Sequence, residues 1–197
     1  MKDLKKYQKM LIVVDMINGF VREGVLHDND IDKIIPNIKD IIEEYIGDDE
    51  LIVFVKDSHD GNATEFKRFG NTNHALKGTI ESELVEELIE YENISNSVSV
   101  EKNSTSYMEA PVFRKIISAA ENIKQVDVVG CCTDICDFNG TMALANYLDQ
   151  YNRSCDIYMH MDKVATYNEG ARQKYVDAAC LLLKQQGIKL VKNKGGK

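Results

Sequence analysis

Short apolar runs alternate along the chain with segments whose apolar residues recur at helical spacing. The runs, most of them rich in valine and isoleucine, are Leu11–Val14, Leu51–Val55, Val98–Val100, Val126–Val129, Ile157–Met159 and Ile188–Val191. The segments of helical spacing are Pro36–Ile46, Glu81–Tyr91, Val112–Ile123, Ile135–Tyr151 and Glu169–Gln186. This alternation predicts an α/β fold with a three-layer, doubly wound and mainly parallel six-stranded sheet and helices on both faces.

One long segment, Asp57–Gly78, interrupts the alternation. It is polar, contains three glycines and has no clear periodicity. Loops of that length in a compact domain usually carry function. Ligands of open α/β sheets bind at the carboxyl ends of the strands, so the residues that directly follow the predicted strands are the first candidates for a site.

Composition narrows the class of protein. A length of 197 residues predicts one domain, residues 1–197, with a sizeable core. The net charge of −8 argues against nucleic acid or an anionic membrane as the main partner. No apolar run approaches the roughly 20 residues that span a bilayer. Five cysteines, an odd number without framework spacing, indicate reduced thiols and therefore a cytoplasmic protein.

The predicted fourth strand is followed by a segment rich in cysteine. After Gly130 come Cys131, Cys132 and, beyond a Thr-Asp pair, Cys136. Cys136 is predicted to lie in the first turn of a helix, where the helix dipole favours a thiolate over a thiol. It is therefore a candidate nucleophile, although a cysteine after a buried strand is also common as inert core packing.

Two charged residues follow other predicted strands and would complete such a site. Asp15 directly follows the first strand, where burial would raise the pKa of its carboxyl group toward the range of a general base. Lys102 follows the third strand and would stabilise both the Asp15 carboxylate and a thiolate. Taken singly, an aspartate in a turn and a solvated lysine are equally good explanations.

The long polar segment contains two of the four histidines of the chain, His59 and His74, together with Asp57. Imidazole and carboxylate ligands suit Zn²⁺, Fe²⁺ or Mn²⁺ and leave positions open for water or substrate. The alternative explanation is a polar loop held by hydrogen bonds.

Taken together, these residues resemble a known family. The segments Val14–Phe20, Glu101–Tyr107 and Gly130–Cys136 match, in order and in placement, the isochorismatase-like cysteine hydrolase superfamily, and within it they are most similar to the nicotinamidases. By this resemblance Cys136 is the nucleophile, Asp15 the general base and Lys102 the third catalytic residue. The resemblance also implies a cis peptide between Cys131 and Cys132, with an oxyanion hole formed by the backbone N–H groups of Cys132 and Cys136.

The same resemblance implies a metal site formed by Asp57, His59 and His74. In nicotinamidases the metal binds the pyridine nitrogen, and two aromatic residues, here Phe20 and Tyr107, line the substrate site; core packing would equally account for both. The chain departs from the family at Ser58 and Asn73, and it contains no tryptophan. Glu65 is the carboxylate available as a fourth ligand, but its spacing does not match.

These observations predict a metal-dependent amidohydrolase, with zinc as the first candidate metal and iron or manganese as alternatives. It would convert nicotinamide and water to nicotinate and ammonia through a cysteine thioester. Two alternatives remain open: hydrolysis of another small amide or carbamoyl compound, and a metal-binding member of the family without activity. Relatives with this fold commonly pair or form tetramers, which implies a homo-oligomer.

Overall fold

A six-stranded, all-parallel sheet forms the centre of the structure, a computed structural model that describes residues 3–192. The outermost residues of the predicted domain 1–197 lie outside this range. The strands are β1 (Lys9–Val14), β2 (Leu51–Asp57), β3 (Ser97–Lys102), β4 (Gln125–Cys131), β5 (Asp156–Ala165) and β6 (Lys189–Val191). Their order, β3-β2-β1-β4-β5-β6, reverses direction at β1, which is the doubly wound topology that the sequence predicts.

Helices connect the strands. The α-helices are α1 (Asn18–Val21), α2 (Ile35–Gly47), α3 (Glu65–Arg68), α4 (Glu86–Glu92), α5 (Pro111–Ala119), α6 (Cys136–Gln150) and α7 (Arg172–Gln185). Short 3-10 helices lie at Leu4–Lys6, Ile31–Ile34, Ile80–Ser82 and Tyr107–Glu109. Among the described residues, no helix combines the length and the apolar content needed to cross a membrane.

The sheet separates two layers of core. Leu11 and Val13 of β1 pack into the layer that α2 and α4 cover. Met10, Ile12 and Val14 pack into the layer that α5, α6 and α7 cover. Because successive side chains of a strand point to opposite faces, a strand buried on both faces is continuously apolar, which explains the unbroken run in β1.

The helix predicted over Glu81–Tyr91 is wrong in its first half, since α4 begins only at Glu86. Leu84 forms an antiparallel bridge with Ile17, and the N–H of Val85 donates to the carbonyl of Met16 at 3.0 Å. The apolar residues do recur at helical spacing, but Leu84 and Val85 pack as extended chain against the segment after β1. This tertiary pairing overrides the local preference for helix.

Gly130 allows the carboxyl ends of β1 and β4 to approach closely. It pairs with Val14 and has a φ of 122°, a conformation that L side chains rarely adopt. A Cβ atom at this position would lie 2.0 Å from the carbonyl oxygen of Val14. The next residues of the two strands, Asp15 and Cys131, are thereby brought into contact, with the Cys131 thiol donating to the Asp15 carbonyl at 3.2 Å.

A second glycine seats α6 on the core. A Cβ atom at Gly140 would lie 2.1 Å from Cε1 of Tyr107, whose ring is fully buried. We therefore expect Gly140→Ala to lower the free energy of unfolding by about 1–3 kcal/mol, the usual cost of overpacking a core. Urea denaturation would measure the change.

Gly47, at the end of α2, is the matched control because no atom lies within 4 Å of a Cβ placed there. Gly47→Ala should not destabilise the protein and should add up to about 1 kcal/mol, since alanine restricts the unfolded chain more than glycine does. Equal unfolding free energies for the two variants would contradict the packing of α6 against Tyr107.

Candidate active site

Asp15, Lys102 and Cys136 come together at the carboxyl edge of the sheet, although they are far apart in sequence. Asp15 directly follows β1, Lys102 ends β3, and Cys136 begins α6. The Lys102 ammonium nitrogen lies 2.8 Å from Oδ2 of Asp15 and donates to the Cys136 Sγ at 3.6 Å. A carboxylate oxygen of Asp15 and the sulfur of Cys136 are within 4.8 Å of each other. The three predicted catalytic residues thus form one buried cluster.

Asp57 belongs to the same cluster, which sequence reasoning missed. It ends β2, is the register partner of Lys102, and accepts a hydrogen bond from the Lys102 ammonium group. Its backbone N–H donates to Oδ1 of Asp15 at 2.8 Å. Lys102 therefore pairs with two carboxylates at once. Pairing between β2 and β3 is what places Asp57 there, and a linear motif does not contain that information.

Burial dominates the electrostatics of this cluster. It raises the pKa of Asp15 to about 7, and repulsion from Asp57 adds to the effect while Lys102 opposes it. Burial acts against the charged form of Lys102, but Asp15 and Asp57 together raise its pKa well above the ordinary value. Lys102 consequently stays charged at neutral pH, whereas Asp15 exchanges its proton there, as a general base must.

Burial acts against the thiolate that the sequence predicts at Cys136. Cys136 does begin a helix, as predicted, but the residue is only 5% exposed. Burial raises the pKa of its thiol well above the ordinary value, and the nearby Lys102 charge only partly offsets this. The helix dipole is too weak to replace the lost hydration of a buried anion. Burial therefore favours the thiol form of Cys136 until a neighbouring base removes its proton.

Four buried side chains form a second cluster next to the first. Ligand atoms of Asp57, His59, Glu65 and His74 all lie within 4.8 Å of one another. A bridge between His59 and Leu76 folds the loop back and brings His74 beside His59. The three ligands that the resemblance implies are thus gathered, and Asp57 joins the two clusters.

Glu65 is the fourth member of this cluster, although its spacing in the sequence does not match that of the family. The segment Asp57–Gly78 is not irregular throughout, because α3 begins at Glu65 and holds its carboxylate 3.7 Å from Nε2 of His59. The only signal in the sequence was a carboxylate within a histidine-containing loop. Its position depends on how the loop folds over the sheet edge.

The donor atoms of this second cluster fit a divalent metal. Nδ1–H of His59 donates to Oδ1 of Asn103, and Nδ1–H of His74 donates to the carbonyl of Thr72, both at 2.9 Å. These bonds leave the Nε2 lone pairs available, as is usual for histidines that bind metals. Nε2 of His59 is buried without a hydrogen-bond partner and lies 3.5 Å from Oδ2 of Asp57.

The carboxylates of the same cluster also favour a bound cation. Burial disfavours a protonated His59, yet the nearby carboxylate of Asp57 and the other polar and charged groups around the ring hold its pKa above the ordinary value. A positive charge is therefore stabilised between Asp57 and Glu65. The same carboxylates would stabilise a divalent ion, which carries more charge and would take the imidazole nitrogen as a ligand.

Both clusters border one cavity of about 260 Å³. Among the predicted residues, those that line it are Phe20, Asp57, His74, Cys132 and Cys136, and Glu65 lines it as well. The peptide between Cys131 and Cys132 is cis. The ring of Phe20 lies 5.9 Å from that of His74, so an aromatic surface borders the metal-type cluster.

The assignment of Tyr107 to the substrate site is wrong. Tyr107 is fully buried and is absent from the cavity wall; its hydroxyl group lies 3.2 Å from that of Thr141, and its ring packs on Phe113. The residue is part of the core beneath α6. In its place Tyr167, which follows β5, lines the cavity.

A model of the isochorismatase domain matches residues 9–192 of the chain. The chain belongs to the isochorismatase family. This membership confirms the resemblance and the prediction of a hydrolase, and the observed topology confirms the predicted fold. No curated protein matches the sequence of this isochorismatase-family chain significantly.

Solved structures with the same fold include three named amidases. The chain is similar to a nicotinamidase from Bacillus subtilis, with 25% identity, a TM-score of 0.75, and coverage of 93% of this chain and 99% of the other. A pyrazinamidase of Pyrococcus horikoshii, solved in complex with zinc, is 24% identical, with a TM-score of 0.74 and coverage of 94% and 99%. An N-carbamoylsarcosine amidase from Thermoplasma acidophilum is 24% identical, with a TM-score of 0.73 and coverage of 96% and 99%.

Proposed function

We propose that this isochorismatase-family hydrolase is a metal-dependent amidase that converts nicotinamide and water to nicotinate and ammonia. One observation carries the proposal: a buried Asp15–Lys102–Cys136 cluster shares Asp57 with a buried four-ligand cluster, and both border a small cavity. The similarity to the Bacillus subtilis nicotinamidase supports the substrate.

Asp15 starts the reaction by removing the proton of the Cys136 thiol. The two groups are within 4.8 Å of each other, and the pKa of Asp15, about 7, lets it accept and return a proton at neutral pH. Lys102, whose ammonium nitrogen lies 3.6 Å from the sulfur, stabilises the thiolate as it forms. The sulfur then attacks the carboxamide carbon, and the former carbonyl oxygen takes the negative charge.

The backbone N–H groups of Cys132 and Cys136 are the proposed oxyanion hole. Cys136 is the first residue of α6, so its N–H has no partner within the helix. Asp15 returns its proton to the amide nitrogen, the C–N bond breaks, and ammonia leaves a thioester on Cys136. Asp15 then takes a proton from water as the water oxygen attacks the thioester. The C–S bond breaks, Asp15 returns the proton to the Cys136 sulfur, and the carboxylic acid product departs.

Asp57, His59, Glu65 and His74 are the residues that would hold the metal. A divalent ion bound there would act as a Lewis acid that orients and polarises the substrate through its ring nitrogen. Two histidines and two carboxylates suit zinc first, with iron and manganese as alternatives. The zinc complex of the Pyrococcus horikoshii pyrazinamidase supports zinc as the first candidate metal.

A second candidate function keeps this mechanism but acts on another small amide or carbamoyl compound. Arg172 lines the cavity, and nicotinamide has no acid group that would form an ion pair with it. The similarity to an N-carbamoylsarcosine amidase supports this candidate. The predicted homo-oligomer stays a prediction under either function.

Ammonia release from nicotinamide tests the proposed function. After chelation, kcat/KM should fall at least about tenfold, and added Zn²⁺, Fe²⁺ or Mn²⁺ should restore it, because ligand and outer-shell losses have effects of this size at metal sites. Benzamide is the matched substrate control, since it carries the same carboxamide without a ring nitrogen. A preference for nicotinamide over benzamide should depend on the metal.

Two results would contradict the proposal. Metal-loaded protein that releases no ammonia from nicotinamide would refute the substrate, and activity that survives complete chelation would refute the role of the metal. Metal content of each sample is to be measured directly, so that incomplete removal is recognised.

A further inference from the structure

Tyr167 brings a side-chain hydroxyl group to the wall of the cavity that holds the nucleophile. It lines the cavity together with Cys132 and Cys136, whose backbone N–H groups are the proposed oxyanion hole. The mechanism derived above gives this tyrosine no role. Enzymes that stabilise an oxyanion use tyrosine hydroxyl groups as well as backbone N–H groups, so the surroundings of Tyr167 decide whether it can act in this way.

Strand pairing brings Tyr167 to the turn before the nucleophile. β5 ends at Ala165, two residues before Tyr167, and Ala165 is the register partner of Cys131 at the end of β4. The N–H of Thr133 donates to the Ala165 carbonyl at 2.9 Å, so the pairing continues past the ends of both strands. The chain therefore leads from β5 directly to the segment that carries the oxyanion hole.

The residues on either side of Tyr167 are both held by hydrogen bonds. The Thr166 hydroxyl donates to Oδ1 of Asp134 at 2.6 Å. The backbone N–H of Asn168 donates to Oδ2 of Asp28 at 2.6 Å. Because both neighbours are fixed, the backbone of Tyr167 keeps its position relative to the turn before the nucleophile.

The ring of Tyr167 is held as well. It is partly buried against the core layer that α2 covers. The guanidinium carbon of Arg172 lies 5.4 Å from the ring centre, within the range of a cation–π contact. Nε of Arg172 lies in turn 3.1 Å from Oδ2 of Asp134. A side chain that is already fixed loses little freedom when it binds a ligand, and it needs no reorganisation during the reaction.

The hydroxyl group of Tyr167 is a donor that lies beside the oxyanion hole. It is within hydrogen-bonding reach of the Cys132 sulfur. Burial, with smaller contributions from the Cys132 and Cys131 thiols, raises the pKa of Tyr167 above its ordinary value, so the phenol keeps its proton at neutral pH. Sulfur is a weak acceptor, and the hydroxyl group would therefore lose little by donating to an anionic oxygen instead.

We propose that the Tyr167 hydroxyl group is a third donor of the oxyanion hole and a catalytic residue of this enzyme. As the Cys136 sulfur bonds to the amide carbon, an electron pair of the C=O bond moves to the oxygen, and the Tyr167 hydroxyl group donates a hydrogen bond to it while keeping its proton. The bond weakens again when the C–N bond breaks and the carbonyl re-forms. This inference rests on the proposed amidase function and adds a residue to it.

Tyr167→Phe removes only the donor and leaves the ring. We expect kcat and kcat/KM for ammonia release from nicotinamide to fall about 10²-fold each, with KM unchanged, because the bond forms only in the transition state. Tyr175→Phe is the matched control, since the Tyr175 ring lies 5.8 Å from the same guanidinium carbon but is largely exposed and does not line the cavity. A wild-type kcat for Tyr167→Phe, or a rise in KM alone, would overturn the assignment.

An aldehyde tests the same bond without turnover. Pyridine-3-carbaldehyde adds the Cys136 thiol to its carbonyl carbon, the carbonyl oxygen takes the thiol proton, and the tetrahedral product carries its oxygen where the oxyanion forms. With the aldehyde carbon labelled with ¹³C, NMR identifies this adduct. Tyr167→Phe should weaken the adduct at least roughly tenfold, since it mimics the transition state, while nicotinamide should bind Cys136→Ala protein equally with and without Tyr167→Phe. An aldehyde affinity that Tyr167→Phe leaves unchanged would overturn the assignment.

The aldehyde also separates this inference from the function on which it rests, because the adduct needs Cys136 but no amide hydrolysis. If nicotinamide releases no ammonia and the adduct depends on Tyr167, the proposed function fails and the donor role stands. If nicotinamide is hydrolysed and Tyr167→Phe changes neither kcat nor the aldehyde affinity, the proposed function stands and the donor role is refuted. Protein that neither hydrolyses nicotinamide nor forms the adduct would refute both.

Discussion

Cys136→Ala is expected to lower kcat for ammonia release at least about 10³-fold, the largest effect of any single substitution considered for this protein. Loss of a covalent nucleophile removes the whole two-step path, and enzymes that lose theirs retain only what binding and the oxyanion hole contribute. The structure favours this outcome because the Lys102 ammonium group lies 3.6 Å from the Cys136 sulfur and a carboxylate oxygen of Asp15 lies within 4.8 Å of it. Steady-state ammonia release from nicotinamide measures the effect.

The matched control is Cys180→Ala, which removes a half-buried thiol from α7 and should leave kcat unchanged. Zinc content and the far-ultraviolet spectrum of both variants must equal those of the wild type, so that loss of metal or fold is not mistaken for loss of the nucleophile. Cys136→Ala protein that kept a tenth or more of the wild-type kcat would show that water attacks the amide directly, without a thioester.

Lys102→Met is expected to lower the free energy of unfolding by roughly 3–5 kcal/mol, the cost of removing one partner from a buried ion pair. The Lys102 side chain is fully buried and forms ion pairs with both Asp15 and Asp57. Methionine would leave these two carboxylates buried beside each other without a cation. Activity should be lost as well, since neither a thiolate nor the Asp15 carboxylate would have a positive neighbour.

Urea denaturation of metal-free protein isolates this effect from metal binding. Lys77→Met is the matched control, because the Lys77 ammonium group lies 2.6 Å from Glu101 but both side chains are largely exposed. Exposed pairs contribute little, so this variant should unfold at the wild-type urea concentration. A Lys102→Met variant as stable as Lys77→Met would mean that the buried cluster is neutral through protonated carboxyl groups rather than through Lys102.

Prediction from the sequence worked where the relevant signal is local or is repeated along the chain. The run Leu11–Val14 and its counterparts are apolar because both faces of a parallel strand are buried, so the strands and the fold class followed from the pattern. Cys136 was placed at the start of a helix from the residues around it, and the structure begins α6 there.

The errors share one cause, which is burial that depends on distant segments. The pKa of Cys136 rises because tertiary packing removes water from the sulfur, an effect that outweighs the helix position. The position of Tyr107 in a motif predicts a place in the substrate site, but its ring packs in the core directly against Gly140, which has no side chain to exclude it. Leu84 and Val85 were read as helix because their pairing with Ile17 and Met16 lies outside any local window.

The sequence by itself determined the order of strands and helices, the family, and the residues able to carry hydrolytic chemistry, because periodicity and motif spacing are properties of the linear chain. Only the tertiary structure decided that Asp57 serves two clusters, that Glu65 completes the metal-type cluster and that Arg172 lines the cavity. Each of these depends on which strand ends lie side by side and on how one loop folds over them. Charges and desolvation act through space, so the chemistry of this site is defined by distances that the order of residues does not contain.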